Sequence, residues 1–126
     1  MAQQPSASFA VKRVYDAPDP YDGRRVLVDR LWPRGISKQQ AHIDEWLKAI
    51  TPTNDLRRWF HADPQHRAAE FASRYRDELH DEEHRQAIEH LRELRASGPV
   101  TLVTAVKDPA HSHIPVLLEQ FGEESA

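Results

Sequence analysis

The segment Val100–Val106, which reads VTLVTAV, decides the fold of this 126-residue chain. Its β-branched and apolar residues follow one another without polar alternation, which predicts a strand buried on both faces of a sheet. A second run of this kind, Val26–Val28, lies inside the segment Arg25–Arg30 (RVLVDR). Doubly buried strands are typical of parallel sheets that helices cover on both sides. The two segments therefore predict an α/β protein.

Helical periodicity fills most of the chain between these two strands. Apolar residues at i, i+3, i+4 and i+7 over Ile43–Ile50 predict a helix whose apolar face, Trp46 included, packs in the core. Later apolar stripes predict further helices, the last of which begins near Ser112 because Pro115 is tolerated only in a first turn. The residues predicted to cap the intervening helices are Thr51, Asp63 and Asp81.

The segment Phe9–Tyr15 (FAVKRVY) predicts a further strand at the start of the chain. The link Asp16–Gly23 is too short for a helical crossover, so we expect the first two strands to pair antiparallel. The predicted fold class is α/β, with a small mixed or parallel sheet of about three strands and helices packed around it. Residues 1–126 are predicted to form a single, helix-rich domain, with residues 1–7 as a frayed tail.

Composition excludes several classes of protein. The absence of cysteine excludes disulfide frameworks, iron–sulfur clusters and thiolate zinc sites. The net charge of −3 argues against a dedicated DNA-binding domain, which is usually strongly basic. No apolar run is long enough for a membrane span and the N-terminus does not read as a secretory signal, so a cytoplasmic location is expected. No phosphate loop or dinucleotide fingerprint occurs, so no cofactor is predicted.

Polar side chains are concentrated after the two buried strands. One group lies in Asp29–Gly35 (DRLWPRG) and the other in Lys107–His113 (KDPAHSH). Ligands of open α/β sheets bind beyond the carboxyl ends of parallel strands. We therefore expect both segments to form one candidate site. Its titratable residues are Asp29, Arg30, Arg34, Lys107, Asp108, His111 and His113.

The residue types suggest particular roles in this site. Arg30, Arg34 and Lys107 are predicted to hold an anion, since guanidinium groups bind phosphate and carboxylate in a bidentate manner. Trp32, which joins no helical stripe, either lines the site or covers the loop. Asp29 is a candidate catalytic base. The alternative for Asp29 is a structural ion pair with an arginine or lysine of the same loops.

Histidines give a second set of candidates. His111 and His113 are predicted to transfer protons or to hydrogen-bond a ligand. No metal is predicted, although His-x-His spacing could bind one if carboxylates converge; the set would then be Asp29, Asp108, His111 and His113. Asp108, which precedes Pro109, is most simply a cap. Four further histidines are predicted to be structural or solvated: His61 and His66 at a turn, and His80 and His84 on an exposed helix face.

The string Arg25–Gly35 (RVLVDRLWPRG) resembles the signature of the YeaO-like family, which is domain of unknown function 488. The segment Asp55–His61 (DLRRWFH) and the spacing of residues 101–113 are similar to the family as well. The resemblance covers residues 9–121, and it implies a small bacterial cytosolic α/β protein without supplying a mechanism. The site residues that it supports are Asp29, Arg30, Arg34, Lys107 and His111.

Three functional hypotheses follow. The first is a protein that binds an anionic small molecule of a phosphate-bearing or nucleotide-like kind. The residues leave open whether the protein also acts on that molecule. The alternative is a nucleic-acid or protein interaction module without catalysis, which would use the basic segment Arg24–Lys38. The third, least favoured, is a metal-assisted hydrolase built on the carboxylates and imidazoles named above. The sequence leaves the oligomeric state open.

Overall fold

A computed structural model describes residues 9–122 of the chain, so the predicted tail at residues 1–7 lies outside the described residues. Four strands form one sheet in the order β1-β4-β2-β3, and every neighbouring pair is parallel. The strands are β1 (Ala10–Arg13), β2 (Arg24–Leu27), β3 (Glu45–Trp46) and β4 (Val100–Thr104). The predicted α/β class is confirmed, and the sheet is wholly parallel with one strand more than expected.

Helices surround this sheet. The α-helices are α1 (Lys38–Ala41), α2 (Asn54–His61), α3 (Pro64–Glu78), α4 (Glu82–Ser97) and α5 (Ile114–Glu119). Short 3₁₀ turns occupy Pro20–Asp22, Lys48–Ile50 and Pro109–His111. Among the described residues, none of the helices is long and apolar enough to cross a bilayer.

Strand β4 occupies the centre of the sheet and is buried along its whole length. Leu102 and Val103 are both fully buried, although successive side chains of a strand point to opposite faces. Leu102 belongs to the main core cluster with Tyr75 and Leu117, whereas Val103 packs with Val14 on the other face. The prediction of a doubly buried strand from VTLVTAV is therefore confirmed.

The expected antiparallel pairing of the first two strands is wrong. Strands β1 and β2 do not pair with each other; both run parallel to β4 on opposite sides of it. Residues 14–23 return the chain to the starting end of the sheet with only a short 3₁₀ turn and no α-helix. This is possible because ten extended residues can span roughly 33 Å, far more than a four-residue strand needs. The hydroxyl of Thr101 donates to the carbonyl of Asp22 (2.8 Å) and fixes the end of this link.

The helix predicted over Ile43–Ile50 is also wrong. The segment instead contains β3, because its backbone completes the free edge of β2: Asp44 donates to the Arg25 carbonyl (2.8 Å) and Leu47 to the Leu27 carbonyl (2.9 Å). These contacts outside the local sequence override the helical spacing of the apolar residues. Trp46, predicted to lie in the core, is 36% exposed.

The segment before α2 differs from its prediction as well. Thr53, not Thr51, caps α2 by accepting a hydrogen bond from the amide of Leu56. Thr51 is buried, and its carbonyl accepts a hydrogen bond from His84 Nε2 (2.9 Å). His84 is only 2% exposed, so its predicted position on a solvated helix face is wrong. Helices α3 and α4 begin where Asp63-Pro64 and Asp81 predict. Asp81 caps α4 by accepting from the amide of His84 (2.8 Å), whereas Asp63 makes no side-chain capping bond, so its predicted capping role is wrong.

The variant Gly23→Ala tests the close approach of two backbone segments at the start of the sheet. Gly23 has φ +67°, and a Cβ there would lie 2.2 Å from the carbonyl oxygen of Pro99. Left-handed strain and overpacking together are expected to lower the free energy of unfolding by about 2–4 kcal/mol in urea denaturation. Gly35→Ala is the control, because Gly35 has φ +75° but an added Cβ meets no non-neighbouring atom within 4 Å. It should lose only about 1 kcal/mol. Equal losses in the two variants would contradict the close packing of Gly23 on Pro99.

Candidate functional site

The carboxyl ends of β2 and β4 lie side by side, and the loops that follow them line one cavity of about 480 Å³. We call it the strand-end cavity. The parallel pairing of β2 with β4 explains this adjacency, since both strands end at the same edge of the sheet. The residues predicted for the site all line the cavity: Asp29, Arg30, Trp32, Arg34, Lys107, Asp108, His111 and His113.

Asp29 connects the two strand ends. One carboxylate oxygen accepts from the hydroxyl of Thr104 (2.6 Å), and the other accepts from the backbone amide of Ala105 (2.7 Å). The predicted partner was an arginine or lysine of the same loops, and that prediction is wrong. Neutral donors on the neighbouring strand satisfy the carboxylate instead, which a half-buried charge requires.

Arg30 points away from its own loop and is anchored on the segment before α2. Its Nε donates to the Thr51 hydroxyl (3.0 Å) and to the Pro52 carbonyl (2.9 Å), and Nη2 donates to the Thr51 carbonyl (3.1 Å). These bonds attach one wall of the cavity to the other. They identify a positioning role for Arg30, while its predicted role in binding a ligand stays a prediction.

Arg34 and Lys107 differ from Arg30 in being exposed on the cavity rim. Within residues 9–122, neither side chain makes a hydrogen bond or an ion pair. Trp32 forms part of the wall: its Nε1 donates to the Ile36 carbonyl (2.6 Å), and its ring meets Trp46 edge-on at 5.5 Å between centroids. As far as the described part of the chain shows, the site thus has two unengaged cations beside an aromatic wall.

His113 lies at the buried end of the cavity and is 8% exposed. Its Nε2 donates to the carbonyl of Val28 (2.7 Å) and lies 4.0 Å from Asp29 Oδ1. Burial is the largest effect and lowers the pKa of His113; the hydrogen bond to Val28 and the charge of Asp29 oppose it only in part, and Arg57 adds a small further lowering. The imidazole is therefore neutral near pH 7, with its proton on Nε2.

His111 and Asp108 form an exposed pair on the rim, with His111 Nδ1 2.7 Å from an Asp108 carboxylate oxygen. Asp108 precedes the 3₁₀ turn Pro109–His111 but makes no side-chain capping bond, so the predicted cap is wrong. Among the described residues, no group of three or more histidine and acidic side chains is arranged to hold a metal ion. The four residues of the metal alternative line the cavity without forming such a group.

Helices α2 and α3 supply a wall that the sequence analysis missed. Arg57, Phe60 and His61 come from α2, and Phe71 comes from α3. Burial lowers the pKa of His61, with a smaller effect from Arg57. His61 was predicted to be structural, yet it lines the cavity, whereas His66 pairs with Asp63 as a turn residue (3.0 Å). The available signal was the spacing of four between Arg57 and His61, which places both on one face of a helix.

The cavity has an excess of positive charge. Four lining residues are fixed cations and two are carboxylates, one of which is held by neutral donors on β4. The cations are Arg30, Arg34, Arg57 and Lys107, and the carboxylates are Asp29 and Asp108. Fixed cations that outnumber carboxylates give the cavity a positive electrostatic potential.

Fold and cavity together define a small parallel α/β protein with its candidate site at the strand ends. The chain belongs to the DUF488 family: a family model described as "Inactive DUF488-N3 subclade" matches residues 8–126. It is 48% identical over 109 residues to "Uncharacterized protein Rv3073c" of Mycobacterium tuberculosis, covering 86% of this chain and 89% of that protein. It is 42% identical over 108 residues to "Uncharacterized protein YeaO" of Escherichia coli, covering 86% and 91%. No solved structure matches the chain. The predicted resemblance to YeaO-like proteins is confirmed.

The buried neutral His113 makes stability depend on pH in a specific direction. Its pKa in the native state lies below the value of about 6.5 of an exposed histidine. As the pH drops from 7 to 5, His113 is therefore protonated more readily in the unfolded chain than in the native protein. Protonation stabilises the unfolded state, so the free energy of unfolding falls over this range. His113→Gln can keep the donor to Val28 but has no imidazole to protonate. We expect its urea-derived free energy of unfolding to change less over this range than that of the wild type; identical slopes would contradict the assignment.

Proposed function

We propose that the strand-end cavity binds an anionic small molecule of a phosphate-bearing or nucleotide-like kind. The observation that carries the proposal is the pair of unengaged cations, Arg34 and Lys107, on the rim of a cavity that Arg57 also lines. Phosphate and carboxylate groups accept several hydrogen bonds at once, which suits converging guanidinium and ammonium donors. Arg30 supports the binding site indirectly by anchoring its loop on Thr51 and Pro52.

The size and lining of the cavity support an organic anion rather than a bare ion. A volume of about 480 Å³ falls within the range of small-molecule sites. Trp32, Phe60 and Phe71 contribute aromatic surface next to the cations. Flat apolar groups gain free energy when they pack on such rings. The proposed ligand therefore combines an anionic group with a planar or apolar body.

The proposal concerns binding, and two observations favour binding over turnover. The matching family model is described as an inactive subclade. In addition, both oxygens of the Asp29 carboxylate already accept hydrogen bonds from β4 and its following residue, so this side chain is engaged in holding the two strand ends together. Catalysis by Asp29, His111 and His113 stays a prediction of the sequence. Chromatography of a bound phosphate ester after prolonged incubation tests it, since turnover would release inorganic phosphate.

The interaction-module alternative receives less support from the position of the basic segment Arg24–Lys38. Arg25 is buried in an ion pair with Asp22 (2.7 Å), and Arg30 is anchored on the segment before α2. Arg24 lies at the amino end of β2, the opposite end from the cavity. The segment thus offers separated cations instead of the continuous basic surface that a nucleic acid backbone requires.

Isothermal titration with phenyl phosphate tests the proposed function. The probe carries a phosphate for Arg34 and Lys107 and a ring for the aromatic wall. The double variant Arg34→Gln/Lys107→Gln is expected to bind at least about tenfold more weakly than the wild type, because hydrogen bonds between charged groups contribute about 1.5–3 kcal/mol.

The matched control is Arg24→Gln/Lys38→Gln, which removes the same two residue types from exposed positions outside the cavity. This control should bind phenyl phosphate as the wild type does, apart from a small change in long-range attraction that salt suppresses. Equal weakening by the two double variants would show a general charge effect and contradict the proposal. So would the absence of wild-type binding at millimolar probe concentrations.

A further inference from the structure

We infer that His113 selects the ligand: its Nδ1 accepts a hydrogen bond from a hydroxyl or amino group, so the site takes anions that carry such a donor on an apolar body. The inference rests on the proposed function, because it assumes that the strand-end cavity holds an anion. It adds a chemical requirement at the buried end of the cavity, where the ring of His113 is more than nine-tenths buried.

The tautomer of His113 follows from its hydrogen bond to the backbone. The Val28 carbonyl can only accept, so Nε2 must be the protonated nitrogen at a separation of 2.7 Å. A neutral imidazole with its proton on Nε2 has a lone pair on Nδ1. The surroundings keep the ring neutral: it is buried against Tyr75 (6.0 Å between centroids), and Arg57 acts against a second positive charge. Asp29, the acidic group nearby, is 4.0 Å from Nε2.

Among the described residues, Nδ1 of His113 has no hydrogen-bond partner, in contrast to Nε2 of the same ring. Within residues 9–122, no protein group forms a hydrogen bond with His113 Nδ1. Every side-chain nitrogen or oxygen that is fully enclosed in this part of the chain does have a hydrogen-bond partner. An unpartnered Nδ1 is therefore not sealed in the core. Because His113 is one of the residues that line the cavity, we take the cavity as the route by which a ligand reaches this atom. A ligand that excludes water there must supply a donor, or it leaves a desolvated acceptor without a partner.

The cavity thus recognises two different groups at two different depths. The exposed cations Arg34 and Lys107 suit an anionic group at the rim, and the acceptor of His113 suits a donor at the buried end. Phe60 and Phe71 line the cavity as well and suit an apolar body that joins the two. A molecule with only the anionic group would leave His113 unsatisfied, and a neutral molecule would leave the cations unpaired.

The experiment compares two aryl phosphates of similar size. The probe 4-hydroxyphenyl phosphate carries a donor opposite its phosphate, whereas 4-methoxyphenyl phosphate carries only an acceptor there. By isothermal titration, the wild type is expected to bind the hydroxy probe at least about tenfold more tightly. His113→Gln, whose amide can still donate to Val28, lacks the Nδ1 acceptor and should bind both probes equally. His113→Asn, whose amide oxygen can occupy the place of Nδ1, should keep part of the preference.

A second measurement on the wild type does not depend on any variant folding. The nitrogen-15 resonance of non-protonated Nδ1 in His113 should move when the hydroxy probe is added and stay in place with the methoxy probe. Equal wild-type affinity for the two probes, or an undiminished preference in folded His113→Gln, would overturn this inference and leave the proposed function intact. Failure of the wild type to bind either probe would overturn both.

Discussion

The carboxylate of Asp29 joins the ends of the two central strands, and the candidate site depends on that attachment. Asp29 follows β2, yet its two oxygens accept from the Thr104 hydroxyl and the Ala105 amide at the end of β4. Its backbone carbonyl accepts from Trp46 Nε1 (2.7 Å), which links the same position to β3. One residue therefore contacts three strand ends and reinforces the backbone pairing between them. The loops that leave them are held around a common cavity because their starting points cannot move apart independently.

Two further attachments bring the helical wall to this sheet edge. Arg30 donates to both Thr51 and Pro52, directly before α2. His84 of α4 donates from Nε2 to the Thr51 carbonyl (2.9 Å) and contacts Asp81 through Nδ1 (2.8 Å). The segment before α2 is thus held from the sheet side and from the helix side. This explains how Arg57 and His61 of α2 come to face residues that are more than forty positions away in the sequence.

The sequence predicts the central strand, the α/β class and the cavity residues of both strand-end loops because each depends on a local pattern, whereas it leaves open whether the sheet is mixed or parallel. Runs of consecutive apolar residues identify β2 and β4 as strands buried on both faces. The parallel pairing of these strands then brings Asp29 near His113. The predictions are wrong where contacts with residues distant in the sequence determine the local structure. Trp46 has helical spacing but completes the edge of β2, and His84 lies in an acidic helix yet is buried against Thr51. Arg57 could not be assigned to the cavity because nothing local shows which face of α2 the sheet covers.

Amide chemical shifts during titration with phenyl phosphate test most directly whether the strand-end loops and α2 form one site. The account predicts that amides of residues 30–35, 105–113 and 57–61 shift together and give the same dissociation constant. Amides at the amino ends of β2 and β4 should stay unchanged, because they lie at the opposite edge of the sheet. Shifts confined to one of the three segments, or different dissociation constants for different segments, would contradict the account.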